Sequence, residues 1–579
     1  MFLKTDGESM SAITLGKGSF GTVHEIIDKS NQEKFALKVP EHRDSFYLES
    51  IKKEFVILHF LIQKQNFSSS HIIRPFGIRR TQDANIGLIL ELLGFDLKKY
   101  STKHPDKLSL EKISHFTWQI AKGLTFLAEH EVIHGDIKPQ NILVSSCGES
   151  IKLCDFGISS FTKKTKEHTT DFCYVQTPAY RSPEVILRIQ PTPSIDVWSL
   201  GAVIAELYTK ELTFITSEPT EEHLIANHII SLNENYPNTL IEQGSIFGQE
   251  TFQRAKVVEF KERPKVLIQA IEKKAKENDD CLEKIESLKL LLSQIFTYDP
   301  KLRITAKNIQ TSPFAIKITP STSSASTTPT STTPPLASTS SSATKIVPPT
   351  LTLLKSGSFK KIYLVSHGTK SQVWKISLTK RAETSVIHEA TMLLSLRNHP
   401  HIIQTKGIIP LKIDSIGLVL EPLKTSLEEY LSQNSLTLNK IKRFTYQIAK
   451  ALMHLNENTI IHRNINTSCI LIDKSGDHIK IANFSLAIFT FEAPENIRTS
   501  KILGDIENKS PEALLEIPLT TQNDVWAFAT VIAKLCTTKI LFPVSKEDED
   551  IDQALIYRHI ETLGFPYDPD LISQISSKG

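Results

Sequence analysis

Residues 132–143 read VIHGDIKPQNIL, and residues 460–471 read IIHRNINTSCIL. Both stretches open on an apolar pair and a histidine, carry an isoleucine three places on, and close on Ile-Leu. What differs is the polar set: Asp136 becomes Asn464, Lys138 becomes Asn466, and Asn141 becomes Cys469. A proton acceptor, a cation and an amide oxygen are gone from a frame that is otherwise kept. The first stretch carries chemistry, and the second carries the frame without it.

The repeat extends outward from this point. FTWQIAKGLTFL begins at Phe116 and FTYQIAKALMHL at Phe444, an offset of 328. Asp196 of IDVWSLG and Asp524 of NDVWAFA are again 328 apart, and HIIRPFGI at His71 is 330 before HIIQTKGI at His401. A nearly constant offset over such a length points to a duplicated domain, not a short-period solenoid. Between the copies lies ITPSTSSASTTPTSTTPPLASTSSSATKIVPPT. So few apolar side chains cannot offset the entropy of ordering, which predicts a disordered linker. Its flexible residues reach roughly 30 Å end to end, enough for the flanking domains to touch. The expected boundaries are 1–316, 317–349 and 350–579.

Each copy has the same coarse order. Strand-like alternation in AITLGKGSFGTVHEIID and KFALKV leads to helical spacing in IKKEFVILHFLIQ. Two further strands, HIIRPFGI and IGLILELL, precede a mainly helical remainder from ISHFTWQIAKGLTFLAEH onward. The expected class is α+β: a small sheet lobe joined to a larger helical lobe, present twice. The second copy is expected to be shortened, because nothing after ALIYRHIETLGFPYDPDLISQ matches the later helices of the first. The charged run IEKKAKENDDCLEKIESLKLLL, 271–292, is expected to form a solvated helix.

Composition narrows the functional classes. Of 579 residues, 40% are hydrophobic and 23% charged, a globular mixture. A net charge of +3 gives no support for a general nucleic-acid or membrane-surface binder. The six cysteines form no CxxC pair, so neither a zinc site nor a disulfide framework is expected. The start of the chain lacks a signal-peptide pattern, and no apolar run reaches the roughly 20 residues that span a bilayer. An intracellular setting, nuclear or cytoplasmic, is expected.

The first copy gathers groups suited to phosphoryl transfer. Gly16, Lys17, Gly18, Ser19, Phe20 and Gly21 sit between two strands, where glycines let the backbone approach phosphates. Lys38 follows on the next strand, placed to reach the phosphates of a nucleotide under that loop. Glu54 on the next helix can brace it; Glu49 competes, but the apolar neighbours Phe55, Ile57 and Leu58 favour Glu54. Asp136 can accept a hydroxyl proton and Lys138 can steady a γ-phosphate, while Asn141 and Asp155 can hold Mg²⁺. His134 and Phe156 are expected to be core residues.

GKGSFG, FALK, HGDIKPQN and DFG, in this order and spacing, resemble the protein-kinase signature set. YVQTPAYRSPEVIL, 174–187, and LLSQIFTYDPKLRITAKNIQTSPF narrow the resemblance to the homeodomain-interacting and dual-specificity tyrosine-regulated kinases. The resemblance implies a bilobal kinase fold, ATP with Mg²⁺ as cofactor, and transfer to serine or threonine of protein substrates. It also implies that Leu15 and Val23 flank the nucleotide with the glycine loop, and that Leu90 backs its pocket. Glu91 and Leu93 would offer backbone groups to adenine. Tyr174 would be an autophosphorylated activation-loop residue, and Arg181 would favour proline after the target residue. Glu184 would pair with Arg303. Gly135 departs from the arginine most kinases carry there, so a phosphate on Tyr174 would need another holder.

In the second copy, Lys375 and Glu389 match Lys38 and Glu54. Asn464 cannot act as a base at neutral pH, Asn483 leaves only a neutral oxygen for the metal, and Cys469 removes the other metal ligand. The glycine loop becomes Lys355-Ser-Gly357-Ser-Phe-Lys360, where a lysine forced to positive φ costs about 1–2 kcal/mol. This half resembles a pseudokinase, expected to contact the first domain and regulate it or recruit substrate. Glu512 has no arginine within its own domain to match Arg303. The competing reading is a non-catalytic scaffold built from two kinase-like domains.

Overall fold

The computed structural model describes residues 13–317 and 350–564, apart from 19–20, 29–30, 41–44, 81–85, 163–174, 215–219, 259, 261–263, 358–359, 368–369, 397–398, 412–414, 491–504, 516 and 545–550. The stretch expected to be a linker lies outside the described residues, apart from Lys317.

The first unit opens with a five-stranded antiparallel sheet. Its spatial order is Ile13–Gly18, Gly21–Ile27, Lys34–Val39, Ile86–Glu91, Pro75–Arg80. Lys34–Val39 is central, and its Phe35, Ala36 and Leu37 are buried. The register sets Val23 opposite Lys38. Helix Ser45–Ile62 buries Ile51, Phe55, Leu58 and Leu61 beneath the sheet.

Helix Leu110–Glu129 starts the large lobe. Ser109 Oγ caps it by accepting the Lys112 N–H, and Ile113, Phe116, Ile120, Leu124 and Leu127 are buried at helical spacing. Each such side chain contributes about 1.5–3 kcal/mol on burial. Helix Ser194–Thr209 is buried over most of its length and forms the lobe's axis.

The second unit repeats this plan. Its sheet runs Thr350–Ser356, Lys360–His367, Lys370–Ser377, Ser415–Leu420, Thr405–Leu411, the same strand order. Helix Leu438–Glu457, capped by Thr437, buries Phe444, Ile448, Ala451 and Leu455. Even the ring packing recurs. Trp198, Phe214 and His228 cluster in the first unit, and Trp526, Phe542 and His559 in the second, with centroids 4.2–5.9 Å apart.

The 271–292 stretch is not one helix. It falls within two helices, Leu267–Asn278 and Leu282–Ile295. Asp279 takes a left-handed conformation (φ 55°) that ends the first, and Ile271, Ile285, Leu288, Leu291 and Leu292 are buried. An aspartate tolerates that conformation better than most residues, because its side chain can bond locally. Among the described residues, no helix is long and apolar enough to cross a membrane.

Candidate active site

Lys38 points from the central strand into the cleft between the lobes, buried. Its Nζ lies 2.7 Å from Glu54 Oε2 and 2.6 Å from Asp155 Oδ1. Glu54 Oε1 also accepts the Phe156 N–H at 3.1 Å. Glu49 lies instead 3.4 Å from Lys52, so Glu54 is the brace. Burial alone would lower the pKa of Lys38; Asp155 and Glu54 outweigh it and raise it. Burial raises Glu54 against the pull of Lys38. It opposes ionisation of Asp155 too, but Lys38 holds that carboxyl below the usual range.

The loop 134–141 lies between strands Val132–Ile133 and Ile142–Val144. Asp196 fixes it from the axial helix: its carboxylate accepts the N–H groups of His134 at 2.7 Å and Gly135 at 2.9 Å. Gly135 has φ +78°, where a glycine is unstrained. The His134 ring lies 2.9 Å from the Cys154 carbonyl and 4.7 Å, centroid to centroid, from Phe156. Both rings are buried core residues, as expected.

Asp136 is the hub of the loop. Its Oδ2 accepts from Asn141 Nδ2 at 2.9 Å and from Lys138 Nζ at 2.8 Å. Its Oδ1 accepts the Thr177 hydroxyl at 2.7 Å and the Thr177 N–H at 3.2 Å. Lys138 Nζ also donates to Thr177 Oγ1 at 3.0 Å. The sequence reading missed Thr177, although it stands between Gln176 and Pro178 in the quoted YVQTPAYRSPEVIL; only the fold brings it back to Asp136.

Gly16 and Gly18 end the first strand and Gly21 opens the second; Ser19 and Phe20 lie outside the described residues. At Gly21 (φ +151°) a Cβ would come within 2.1 Å of the Val39 carbonyl oxygen, which explains the glycine. Leu15 and Lys17 are exposed, and Val23 is half-buried beside Lys38. Leu90 is buried, and Leu93 packs partly buried against the core. The Glu91 carboxylate accepts the Arg74 N–H at 2.6 Å and pairs with Lys152 at 2.7 Å, tying the sheet to the lower lobe.

Tyr174 lies outside the described residues. Arg181 Nη2 donates to the Gln176 carbonyl at 3.1 Å, and Nη1 lies 3.8 Å from Glu221. Arg303 meets Glu184 through two hydrogen bonds of 2.7 and 3.0 Å.

The second unit keeps the frame. Lys375 Nζ lies 2.6 Å from Glu389, and Asp524 accepts the N–H groups of His462 and Arg463 at 2.6 and 2.9 Å. The His462 and Phe484 rings pack edge to face with centroids 4.7 Å apart, the same separation as His134 and Phe156. The polar atoms, however, satisfy one another. Asn464 Oδ1 accepts from Asn466 Nδ2 at 3.1 Å and from the Asp505 N–H at 3.0 Å. Asn483 Oδ1 accepts from Lys375 at 3.0 Å and Ser485 at 3.1 Å. Burial pushes the Cys469 thiol up to about 12, so it stays neutral.

The backbone strain expected at the loop lysines is not incurred. Neither Lys355 nor Lys360 has a positive φ. The ladder continues regularly through Lys361↔Ile376 to Lys360↔Ser377, which holds Lys360 in an extended conformation. Glu512 is half-buried, so it avoids the cost of a fully desolvated carboxylate.

The chain belongs to the protein kinase family: the family model described as "Protein kinase domain" matches residues 11–315 and again 351–577. It is 36% identical over 200 residues to human dual specificity tyrosine-phosphorylation-regulated kinase 4, covering 34% of this chain and 37% of that protein. Dual specificity protein kinase YAK1 of Saccharomyces cerevisiae is 36% identical over 198 residues, covering 34% and 24%. A cyclin-dependent kinase 4 homolog of Caenorhabditis elegans is 26% identical over 310 residues, covering 52% and 69%. The chain thus spans little more than a third of the human relative's length.

Proposed function

We propose that residues 1–316 are an intracellular serine/threonine protein kinase using ATP and Mg²⁺, and that residues 350–579 are a catalytically dead, pseudokinase-like unit that regulates it or docks substrate. The observation that carries this reading is Asp136, bonded to Asn141, Lys138 and Thr177, against Asn464 in the same frame. Asp136 orients the incoming hydroxyl and takes its proton. Lys138 neutralises charge on the transferred phosphoryl group, and Lys38, braced by Glu54, holds the phosphates behind it.

The donor set suits Mg²⁺. Asn141 bonds Asp136 through Nδ2, which turns its hard amide oxygen the other way, and Asp155 is an ionised carboxylate beside it. Bound there, the cation would offset the negative charge on the phosphates.

A preference for proline after the target residue has a physical basis in Gln176. Its backbone is left-handed (φ 64°), and Arg181 occupies its carbonyl. A substrate N–H arriving there would find no acceptor, and proline has no N–H to leave unpaired. Tyr174 is proposed as an autophosphorylation site by likeness to the dual-specificity relatives.

Contact between the two units is supported by Lys52 Nζ, 3.4 Å from His388 Nδ1. Lys52 shares helix Ser45–Ile62 with Glu54, so the contact gives the second unit a grip on the helix that braces Lys38.

The test is phosphorylation of a peptide library by full-length wild type and Asp136→Asn. Loss of a general base predicts a fall of about 10²–10⁴-fold. Equal activity would overturn the assignment.

A further inference from the structure

The two clefts differ in charge as well as in catalytic groups. In the first, Lys38 and Lys138 face Glu54, Asp136 and Asp155: two cations against three carboxylates. A triphosphate entering that cleft meets a formal excess of negative charge, which divalent cations must offset. At the matching positions of the second, Asn464, Asn466 and Asn483 are neutral, leaving Lys375 and Glu389. Two glycines of the loop are lysines: Lys355, which is exposed, and Lys360, where the first cleft has Gly21.

The sheet register fixes where Lys360 points. Ile362 stands opposite Lys375, and Lys360 opposite Ser377. Residues two apart on a strand share a face, so Lys360 projects to the same side as Lys375. Its Nζ donates to Ser385 Oγ at 2.7 Å, as Lys375 Nζ donates to Glu389 Oε2 at 2.6 Å. Ser385 and Glu389 are one helical turn apart on Lys380–Ser395, with Cβ atoms about 5–6 Å apart. Two ammonium groups are therefore lined up along one helix under the former glycine loop, against a single carboxylate. Burial first, and then the charge of Lys375, lower the pKa of Lys360 to about 8; an anion between the lysines would offset the second cause.

We infer that the second cleft is a metal-independent polyphosphate site, in which Lys360 and Lys375 together bind the triphosphate of a free nucleotide without Mg²⁺. Lys360 supplies the positive charge that a divalent cation supplies elsewhere, and the asparagines remove the carboxylates that would repel the ligand. The inference rests on the reading of this cleft as non-catalytic, and goes beyond it by assigning a ligand class.

The experiment uses the full-length chain carrying Lys38→Met, which weakens the first cleft, in EDTA. Calorimetric titrations use ATP, GTP and inorganic tripolyphosphate as separate probes. Binding is expected to persist in EDTA and to weaken when Mg²⁺ is added. In the same background it should fall about tenfold or more with Lys360→Met and stay within about threefold with Lys360→Arg, which keeps the charge. Tripolyphosphate binding as tightly as ATP would assign recognition to the phosphates alone; a tenfold preference for one nucleotide would add the base to the same site. No binding of any probe at millimolar concentration would overturn the inference. So would binding that Lys360→Met leaves unchanged while circular dichroism shows both variants folded. Phosphotransfer by the second cleft would instead be seen as Asp136-independent labelling in Mg²⁺. The failure of one reading is thus distinguishable from the failure of the other.

Discussion

Arg303 reaches across 119 residues of chain to hold both carboxylate oxygens of Glu184, at 2.7 and 3.0 Å, in a site where neither side chain meets solvent to any extent. The same guanidinium donates to the carbonyls of Thr297, Tyr298 and Ser194. It thereby ties the segment after the activation loop to the last helices of the lobe. Removing one partner strands a buried charge, which typically costs about 3–5 kcal/mol. Arg303→Ala should lower the stability of the first unit by that amount in urea unfolding. Glu512→Gln, at the matching place in the second unit, should shift stability by less than about 0.5 kcal/mol, because that side chain is half-buried.

Gly21 and Lys360 make a reciprocal pair of tests. A Cβ at Gly21 would lie 2.1 Å from the Val39 carbonyl oxygen and 2.9 Å from its carbon, both backbone atoms that cannot swing away. Gly21→Ala should therefore force the turn open, costing about 1–3 kcal/mol and displacing the loop over the cleft. The expected readout is a raised KM for ATP together with a lower melting temperature. Lys360→Gly, by contrast, removes a side chain from a regular ladder and should cost only about 1 kcal/mol in backbone entropy. A Gly21→Ala protein with unchanged KM and stability would contradict the steric account.

The frame was legible in the sequence because it rests on repeated, local signals. The helical spacing of Ile113, Phe116, Ile120, Leu124 and Leu127 and the paired Asp196 and Asp524 can be read from residue order alone. The choice of Glu54 over Glu49 followed from its apolar neighbours. What escaped was set by long-range geometry. Thr177 reaches Asp136 across 41 residues, and no spacing rule marks a threonine in an activation segment as a carboxylate's partner. The relaxed backbone at Lys360 depends on one more rung of pairing with the next strand, Lys360↔Ser377, and only the register reveals it. The break at Asp279 lay inside a run whose charges hid the buried positions on either side.

Proton linkage gives a check on Lys360. Its ammonium faces Ser385 and Glu389 on helix Lys380–Ser395 and the charge of Lys375 on the neighbouring strand. With its pKa lowered to about 8, it is charged below that pH and loses the charge above it. Polyphosphate affinity of the second cleft should then be flat from about pH 6.5 to 7.5 and fall as pH rises through 8. By pH 9 it should be down about tenfold, following the charged fraction. Lys360→Arg should keep the affinity flat across the same range, since a guanidinium does not titrate there. Titration with tripolyphosphate at pH 7, 8 and 9 in EDTA measures both. A profile that is the same for lysine and arginine would assign the pH dependence to another group.

Restoring the lost base should not restore the reaction. In the first cleft Asp136 pairs with Lys138 and Asn141, and the proposed reaction needs these groups together with Asp155. Asn464→Asp would return one carboxylate to a loop where Asn466 and Asn483 are neutral and Cys469 offers a protonated, buried thiol. The new carboxylate could still accept from Asn466 and the Asp505 N–H, as Asn464 does, but it would have no lysine at position 466 to pair with as Asp136 has Lys138. Groups that act as a unit do not recover activity one at a time, because each depends on the others for its place and protonation state. In an Asp136→Asn background, Asn464→Asp should therefore give phosphotransfer no higher than Asp136→Asn alone. The added negative charge should also weaken polyphosphate binding in EDTA by several-fold. A gain in transfer from this single change would mean that the second cleft still assembles a cation site, and that the neutral asparagines are not what silences it.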